Sequence, residues 1–291
     1  MYKMATCTVI IPVCNAGEAL GRSLKAFELL TTKCDILIID SSLIQRPVEL
    51  PIQPNFRVHR INHADFNHGA TRNLGARLTL GEILVFFTQD SVCADENTIA
   101  ELVRPLIDNP AIAVSYGRQI PNPGADPVEA FNRNFNYPSE SRLKTKADIP
   151  TLGIKTYFCS NSCAAYRRDV FEKLGGFQEG VGTNEDMLFA AKAIHAGYGV
   201  YYAAQARVFH SHDYTLSQLF ARYRAIGGFF NAHPQLIVCA PKKEGFTFLF
   251  SGIKFFLRKR QLWQAMRLIG HTFLKFAAFT IAKSSPKSQN G

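Results

Sequence analysis

Three short apolar runs, each ending in polar residues, constrain this chain more than any other feature. Residues 6–14 (TCTVIIPVC) lead into Asn15, residues 36–39 (ILII) end at Asp40, and residues 83–87 (ILVFF) end at Thr88-Gln89-Asp90. Between them, Leu20, Leu24 and Phe27, and later Ala70, Leu74 and Leu78, recur at helical spacing, punctuated by Gly17 and Gly81. A third helix, opened by Asp95, is marked by Ile99, Leu102, Val103, Leu106 and Ile107. Strands that are apolar throughout need cover on both faces, so the alternation predicts an α/β fold with a mostly parallel sheet flanked by helices. In such sheets ligands sit beyond the carboxyl ends of the strands, where Asn15, Asp40 and Asp90 fall.

With 47% hydrophobic and 19% charged residues in 291, the chain can bury a sizeable core, which excludes a disordered protein. Seven cysteines fit neither a disulfide framework nor paired zinc clusters, and predict a reducing compartment. The spacing of Cys159 and Cys163 matches no zinc module, and Cys163 reads as a small core hydrophobe. Neither a secretory signal nor an apolar run long enough for a membrane span is expected. Residues 121–150, rich in Pro, Asn and charge, read as a long loop or pair of loops over the rim. A later helix starts at Asn184 and ends at Gly197, and a strand follows over residues 198–209. That strand delivers His210-Ser211-His212, of which one imidazole is expected to face the rim.

Asp40 and Asp90 could be ordinary turn residues. Two carboxylates on one rim also describe a nucleotide-diphosphate site, one accepting a uracil or thymine imide N–H and the other holding a divalent cation. The segment FNHGATRN, residues 66–73, opens a helix whose N-terminus attracts anions, with Arg72 adding a fixed positive charge. The alternative there is a cap made by Asn67 beside a surface arginine. Glu185-Asp186 opens another helix, either complementing its dipole or providing in Asp186 a base for an attacking sugar hydroxyl.

These pieces together, TVIIPVCN, LIIDSS, FNHGATRN, GEILVFFTQD, SNSCAAYRR, LGGF, NEDM and RVFHSHDYTLSQLFARY, resemble glycosyltransferase family 2, and its bacterial rhamnosyltransferases in particular. The resemblance runs in order from about residue 6 to residue 230. It implies a GT-A-type, Rossmann-like fold and inverting transfer of one rhamnosyl residue from dTDP-L-rhamnose to a lipid-linked glycan in O-antigen synthesis. It divides the chain into a nucleotide-sugar-binding half (1–120), an acceptor-binding and catalytic half of the same domain (121–240) and a basic amphipathic tail (241–291). Asp186 resembles the general base. Pro12, Asn15, Asp40, Arg72 and Asp90 resemble donor-binding residues, and Asp90 with His210 the ligands of Mg²⁺ or Mn²⁺. Asn67, His68, Glu185, His212 and Arg222 are the implied acceptor or donor-sugar contacts. Thr88 departs from the first aspartate of the family's metal motif, and Cys14 from the aromatic residue common before Asn15. The Gln218 to Arg222 spacing is one residue longer than in processive relatives, which argues for single additions. Two rival readings are the same machinery with a UDP-hexose or UDP-galactofuranose donor, and a non-catalytic nucleotide-sugar-binding membrane adaptor.

The formal charge of +10 is concentrated in the tail, where residues 242–291 hold ten Lys/Arg and the single acid Glu244. The nearly neutral body argues against a nucleic-acid partner. Phe and Leu residues interleave with those cations, a pattern that suits helices lying on an anionic membrane or, equally, helices closing the core. The membrane reading places the protein in the cytoplasm, peripheral on the inner face of the bacterial inner membrane.

Overall fold

The structure is a computed structural model and describes residues 6–43, 55–237 and 244–284. Lys242, Lys243 and Lys287 of the predicted tail lie outside the described residues. In chain order the elements are β1 (Cys7–Val13), α1 (Glu18–Glu28), β2 (Asp35–Asp40), β3 (Phe56–Arg60), α2 (His68–Arg77), β4 (Ile83–Phe87), β5 (Val92–Cys93) and α3 (Thr98–Asp108). Then follow β6 (Ile112–Ile120), α4 (Pro127–Asn136), β7 (Arg142–Lys144), α5 (Ile149–Leu152), β8 (Cys163–Arg167), α6 (Arg168–Lys173), α7 (Glu185–His195) and β9 (Gly199–Phe209). Helices α8 (Leu216–Ala232), α9 (Glu244–Arg258) and α10 (Leu262–Lys283) complete the fold.

The sheet order is β3-β2-β1-β4-β8-β6-β9-β5, with β7 also on β9. The first four strands are parallel, and the apolar runs of β1, β2 and β4 are buried on both faces, while the more polar β3 forms the edge. β8 enters antiparallel between β4 and β6, which makes the whole a mixed sheet flanked by helices. Side chains alternate across it. Val9 and Ile11 join Leu20, Leu24, Phe27 and Leu102 in one core, while Ile10, Leu84 and Phe86 join Tyr166, Phe171 and Phe189 in the other.

Two local expectations are corrected. Residues 121–150 contain a regular helix, α4, whose N-cap Asp126 accepts from the Val128 and Glu129 N–H groups ahead of Pro127 at the first turn. Val128 and Phe131 then bury against the tail, so Asp-Pro followed by helically spaced apolar residues was the signal. Among the cysteines, Cys7 and Cys34 are disulfide-bonded, with Cα atoms 5.1 Å apart. The β1–β2 register opposes Thr8 to Asp35, so the two preceding residues face each other, a relation that counting cysteines does not reveal. Cys159 and Cys163 are both buried, and burial pushes both thiols up, as befits core residues.

The tail is partly packed into the core and partly exposed. Phe256, Ala265 and Leu268 are buried against Val128 and Phe131, and Arg267 pairs with Asp126 at 2.7 Å. Gly227 on α8 lies where a Cβ would strike the Phe279 backbone of α10, so the two helices come to main-chain contact at that point. The outward face nevertheless exposes Phe246, Phe250, Trp263, Phe273 and Phe276, each about two-thirds accessible at 65–68%. No described helix is long and apolar enough to cross a membrane.

Candidate active site

The turn after β4 and the segment after β9 bring three ligand-type side chains together. His210 Nε2 lies 3.4 Å from Asp90 Oδ1, and His212 Nδ1 lies 3.7 Å from Asp90 Oδ2. The candidate ligand atoms of the three residues all fall within 4.8 Å of one another. Both imidazoles therefore face Asp90, not one alone. Residues two apart share a face of an extended chain, so the period of two puts His210 and His212 on the same side. His212, read from sequence as a sugar contact, is part of this cluster.

The other members of the Thr-Gln-Asp turn are otherwise engaged. Thr88 Oγ1 is 2.8 Å from Ser91 Oγ, and Gln89 clasps the Cys14 backbone, accepting its N–H at 2.9 Å and donating to its carbonyl. His210 Nδ1 bonds Gln119 Oε1 at 2.9 Å, and Gln119 Nε2 donates to Ser160 Oγ at 2.8 Å. Because that Gln119 oxygen is an acceptor, Nδ1 carries a proton, and Nε2 is the ring nitrogen turned toward Asp90. Burial would raise the Asp90 carboxyl. The His210 hydrogen bond and charge, with Thr88 and His212, instead hold it well below the usual carboxylate range. Burial, then the neighbouring His210, lowers His212 to about 4, leaving a neutral ligand-type imidazole. One carboxylate with two imidazoles fits a first-row divalent ion such as Mn²⁺ better than Mg²⁺, which prefers oxygen ligands.

The second constellation sits at the start of α7, after Asn184 in the left-handed region (φ 61°). Asp186 is half-buried, and its two oxygens accept the N–H groups of Asn161 at 3.0 Å and Met187 at 2.8 Å. Burial, and next the charge of Glu185, raises its carboxyl to about 7. Glu185 itself is enclosed, 3.2 Å from the Arg72 guanidinium and 3.0 Å from Asn161 Nδ2. Burial alone would push Glu185 up, but the Arg72 charge and the Asn161 hydrogen bond hold it down. The side chains of Arg72 and Glu185 are only 4% and 6% exposed. Arg72 and Glu185, expected as a diphosphate contact and a sugar contact, are in this structure paired with each other and enclosed beneath the rim. The pair is a buried support beside Asp186, formed because α2 and α7 meet at their N-termini. Asn67 takes the capping role, its Oδ1 accepting from Gly69 and Ala70 at 3.0 Å, while His68 is exposed beside Phe66.

A cavity of about 740 Å³ opens at the ends of β2 and β3, lined by Asp40, Ser42, Arg60, Asn62, Asp65 and Arg77 among others. Asp40 is nearly buried and accepts the Ser42 N–H at 3.0 Å. Asn15 adopts φ 48° and donates its N–H to Ser42 Oγ at 2.7 Å, joining the β1 and β2 ends. Pro12 lies buried within β1, in register with Ile39. Gln119 and Asn161 were missed as site residues. The SNS run around Asn161 was visible, but its link to both acids is a tertiary fact, and nothing local marks Gln119 in β6.

The mixed α/β sheet flanked by helices is GT-A-like, and it carries at its rim a carboxylate–histidine cluster and the half-buried Asp186. Residues 8–175 match the family described as Glycosyl transferase family 2, and this chain belongs to it. It is 44% identical over 281 residues to the O-antigen chain rhamnosyltransferase RfbN of Salmonella typhimurium, covering 95% of this chain and 89% of that one. It is 40% identical to the O-antigen chain rhamnosyltransferase WbaN of Salmonella anatum, covering 96% and 90%. The fold is similar to that of the mannosyltransferase PcManGT from Pyrobaculum calidifontis, solved with GDP-Man and Mn²⁺. The TM-score is 0.59 at 15% identity, over 98% of this chain and 77% of that one. The structure of S. aureus TarS is also similar, with TM-score 0.53 at 15% identity, over 96% of this chain and 55% of that one.

Proposed function

We propose that this glycosyltransferase moves a single rhamnosyl residue, with inversion, from dTDP-L-rhamnose to a lipid-linked glycan in O-antigen synthesis. The observation that carries the reading is the path from Asp90 through His210 and Gln119 to Ser160, the residue next to Asn161, whose N–H holds Asp186. A phosphate-side cluster and a proton-accepting carboxylate are thereby fixed relative to one another. The similarity to two rhamnosyltransferases over most of the chain supports the choice of sugar.

Asp186, raised toward neutrality, takes the proton of the acceptor hydroxyl as that oxygen attacks the anomeric carbon. Attack opposite the departing nucleotide diphosphate inverts the configuration. Asp90, His210 and His212 would hold Mn²⁺ or Mg²⁺, which when bound neutralises charge on the leaving diphosphate. Asp40 and the cavity beside it hold the nucleotide. The exposed Phe and Trp side chains of α9 and α10, with Lys254, Arg258, Lys259 and Arg260, rest on the anionic inner face of the bacterial inner membrane.

The test is mass spectrometry of products from the purified protein, a lipid-linked acceptor extract and a panel of nucleotide sugars. The expected result is addition of one deoxyhexose from dTDP-L-rhamnose. Addition of a hexose from UDP-hexose or UDP-galactofuranose would replace the donor, and no addition from any donor would sink the reading.

A further inference from the structure

The path through Gln119 contains an ambiguity. An amide has a donor end and an acceptor end, and turning it over exchanges them. Gln119 is 2% exposed and lies between His210 Nδ1 and Ser160 Oγ. A hydroxyl donates or accepts, and Ser160 is itself bonded to the hydroxyls of Ser162 and Tyr137. A neutral imidazole nitrogen also does either. Neither neighbour, then, decides which way the amide lies.

Arg133 decides it. Its Nη1 donates to Gln119 Oε1, the same oxygen that His210 Nδ1 faces. A guanidinium donates and never accepts, so it fixes the oxygen end of the amide on its own side. Arg133 is itself held, with its side chain 13% exposed and its Nε donating at 2.7 Å to Glu129 Oε1, one turn earlier on α4. That helix walls a second cavity, again about 740 Å³, among α4, β7, α8 and α10, so its seat depends on contacts made away from that side. Val128, Phe131 and the Asp126–Arg267 pair supply them.

The backbone that carries the histidines is fixed separately. Asn122 donates its N–H to Ser211 Oγ at 3.1 Å and its Nδ2 to the Ser211 carbonyl at 3.3 Å, and the Asp126 N–H donates to Asp213 Oδ1 at 3.3 Å. What remains to be set at His210 is which ring nitrogen keeps a proton. A turned amide would donate to Nδ1 and leave the proton on Nε2, the nitrogen toward Asp90, where it blocks ligation.

We propose that Arg133 is the positioning residue that makes His210 a metal ligand, by locking the Gln119 oxygen onto Nδ1–H and leaving Nε2 as the nitrogen available to a divalent ion. The proposal rests on the reading of Asp90, His210 and His212 as a metal site. Its sign sets it apart from a simple charge effect. The Arg133 charge reaches His212, where it adds to burial and to His210 in lowering the imidazole. By repulsion alone, removing that cation should tighten a divalent ion. By amide locking, removing it should loosen the ion.

Titration with Mn²⁺ followed by electron paramagnetic resonance reads the affinity without turnover. Wild-type protein should bind Mn²⁺, and Arg133→Met should weaken it about tenfold or more, as loss of the support around a metal ligand does. Arg133→Gln should weaken it similarly, because an amide accepts as well as donates, whereas Arg133→Lys, which only donates, should stay within about threefold of wild type. In wild-type protein labelled with ¹⁵N at histidine, His210 Nδ1 should carry a proton. Unchanged or tighter Mn²⁺ binding in Arg133→Met, a lysine variant as weak as the methionine one, or an unprotonated His210 Nδ1 would each overturn the proposal. Should urea unfolding show that the Arg133 variants do not fold, the wild-type histidine spectrum still decides. Failure of the metal reading appears separately, as wild-type protein that binds no Mn²⁺, and it would take this proposal with it.

Discussion

At the sheet rim nearly every polar side chain has a fixed partner, whereas on α9 and α10 most of the described cations have no carboxylate partner. Asp186, Glu185, Arg72 and Asn161 form one bonded group, and Asp90, His210, Gln119 and Ser160 another. Of the described tail cations only Arg267 pairs with a carboxylate, Asp126. The rim preserves a geometry, so one atom out of place matters there. The tail preserves a surface property, so its charges act in number and are interchangeable.

The largest effect expected from a single change is at the buried pair. Arg72→Leu leaves Glu185 enclosed with Asn161 as its remaining partner and should cost about 3–5 kcal/mol in a urea unfolding experiment. Adding Glu185→Gln should recover part of that loss; a single variant as stable as wild type would show that the rim tolerates loose geometry. Next comes Asp186→Asn, which keeps the shape and removes the proton acceptor. Turnover should fall about a hundredfold or more, with dTDP binding by calorimetry intact. In the wild type the base works when ionised, so turnover should drop as pH falls below about 7 and level off above it. A flat profile between pH 5 and 9 would remove Asp186 from that role.

Smaller again, Asp90→Ala and chelation by EDTA should each lower turnover about tenfold to a hundredfold, with Mn²⁺ restoring the chelated wild type but not the variant. Activity that survives both treatments would detach the histidine cluster from the reaction. The smallest effect on chemistry is expected from the tail. Replacing Lys254, Arg258 and Lys259 together with Glu should leave turnover of a short soluble acceptor within about twofold, since all three are exposed. The same protein should lose flotation with anionic vesicles, at about 1 kcal/mol for each cation removed. A loss of soluble turnover instead would erase the contrast between tail and rim.

Much of the rim was legible because strand ends are marked twice, by the end of an apolar run and by the polar residue that follows. Asp40 and Asp90 were found that way, and Asp186 by its place at a helix start. The partners were not legible. Whether Arg72 meets a diphosphate or Glu185 depends on where α2 meets α7, and Gln119 is an ordinary strand residue until His210 is placed beside it. The tail shows the same limit from the other side. Its helical spacing and charge were plain, yet which apolar residues would be buried depended on α4, hidden within residues 121–150 that composition presented as loop.

The contact at Gly227 bears on how the enzyme would be held in space. Helix α8 contributes Leu219, Arg222 and Tyr223 to the second cavity, and at Gly227 its backbone meets that of α10 directly. Two helices so joined leave little slack for one to tilt without the other. Whatever surface grips α10 thereby also sets the height and inclination of the cavity mouth, so the seam works like the fixed arm of a gauge. The separation between the outward face of α10 and the cavity mouth is thereby set by the fold and not by a hinge.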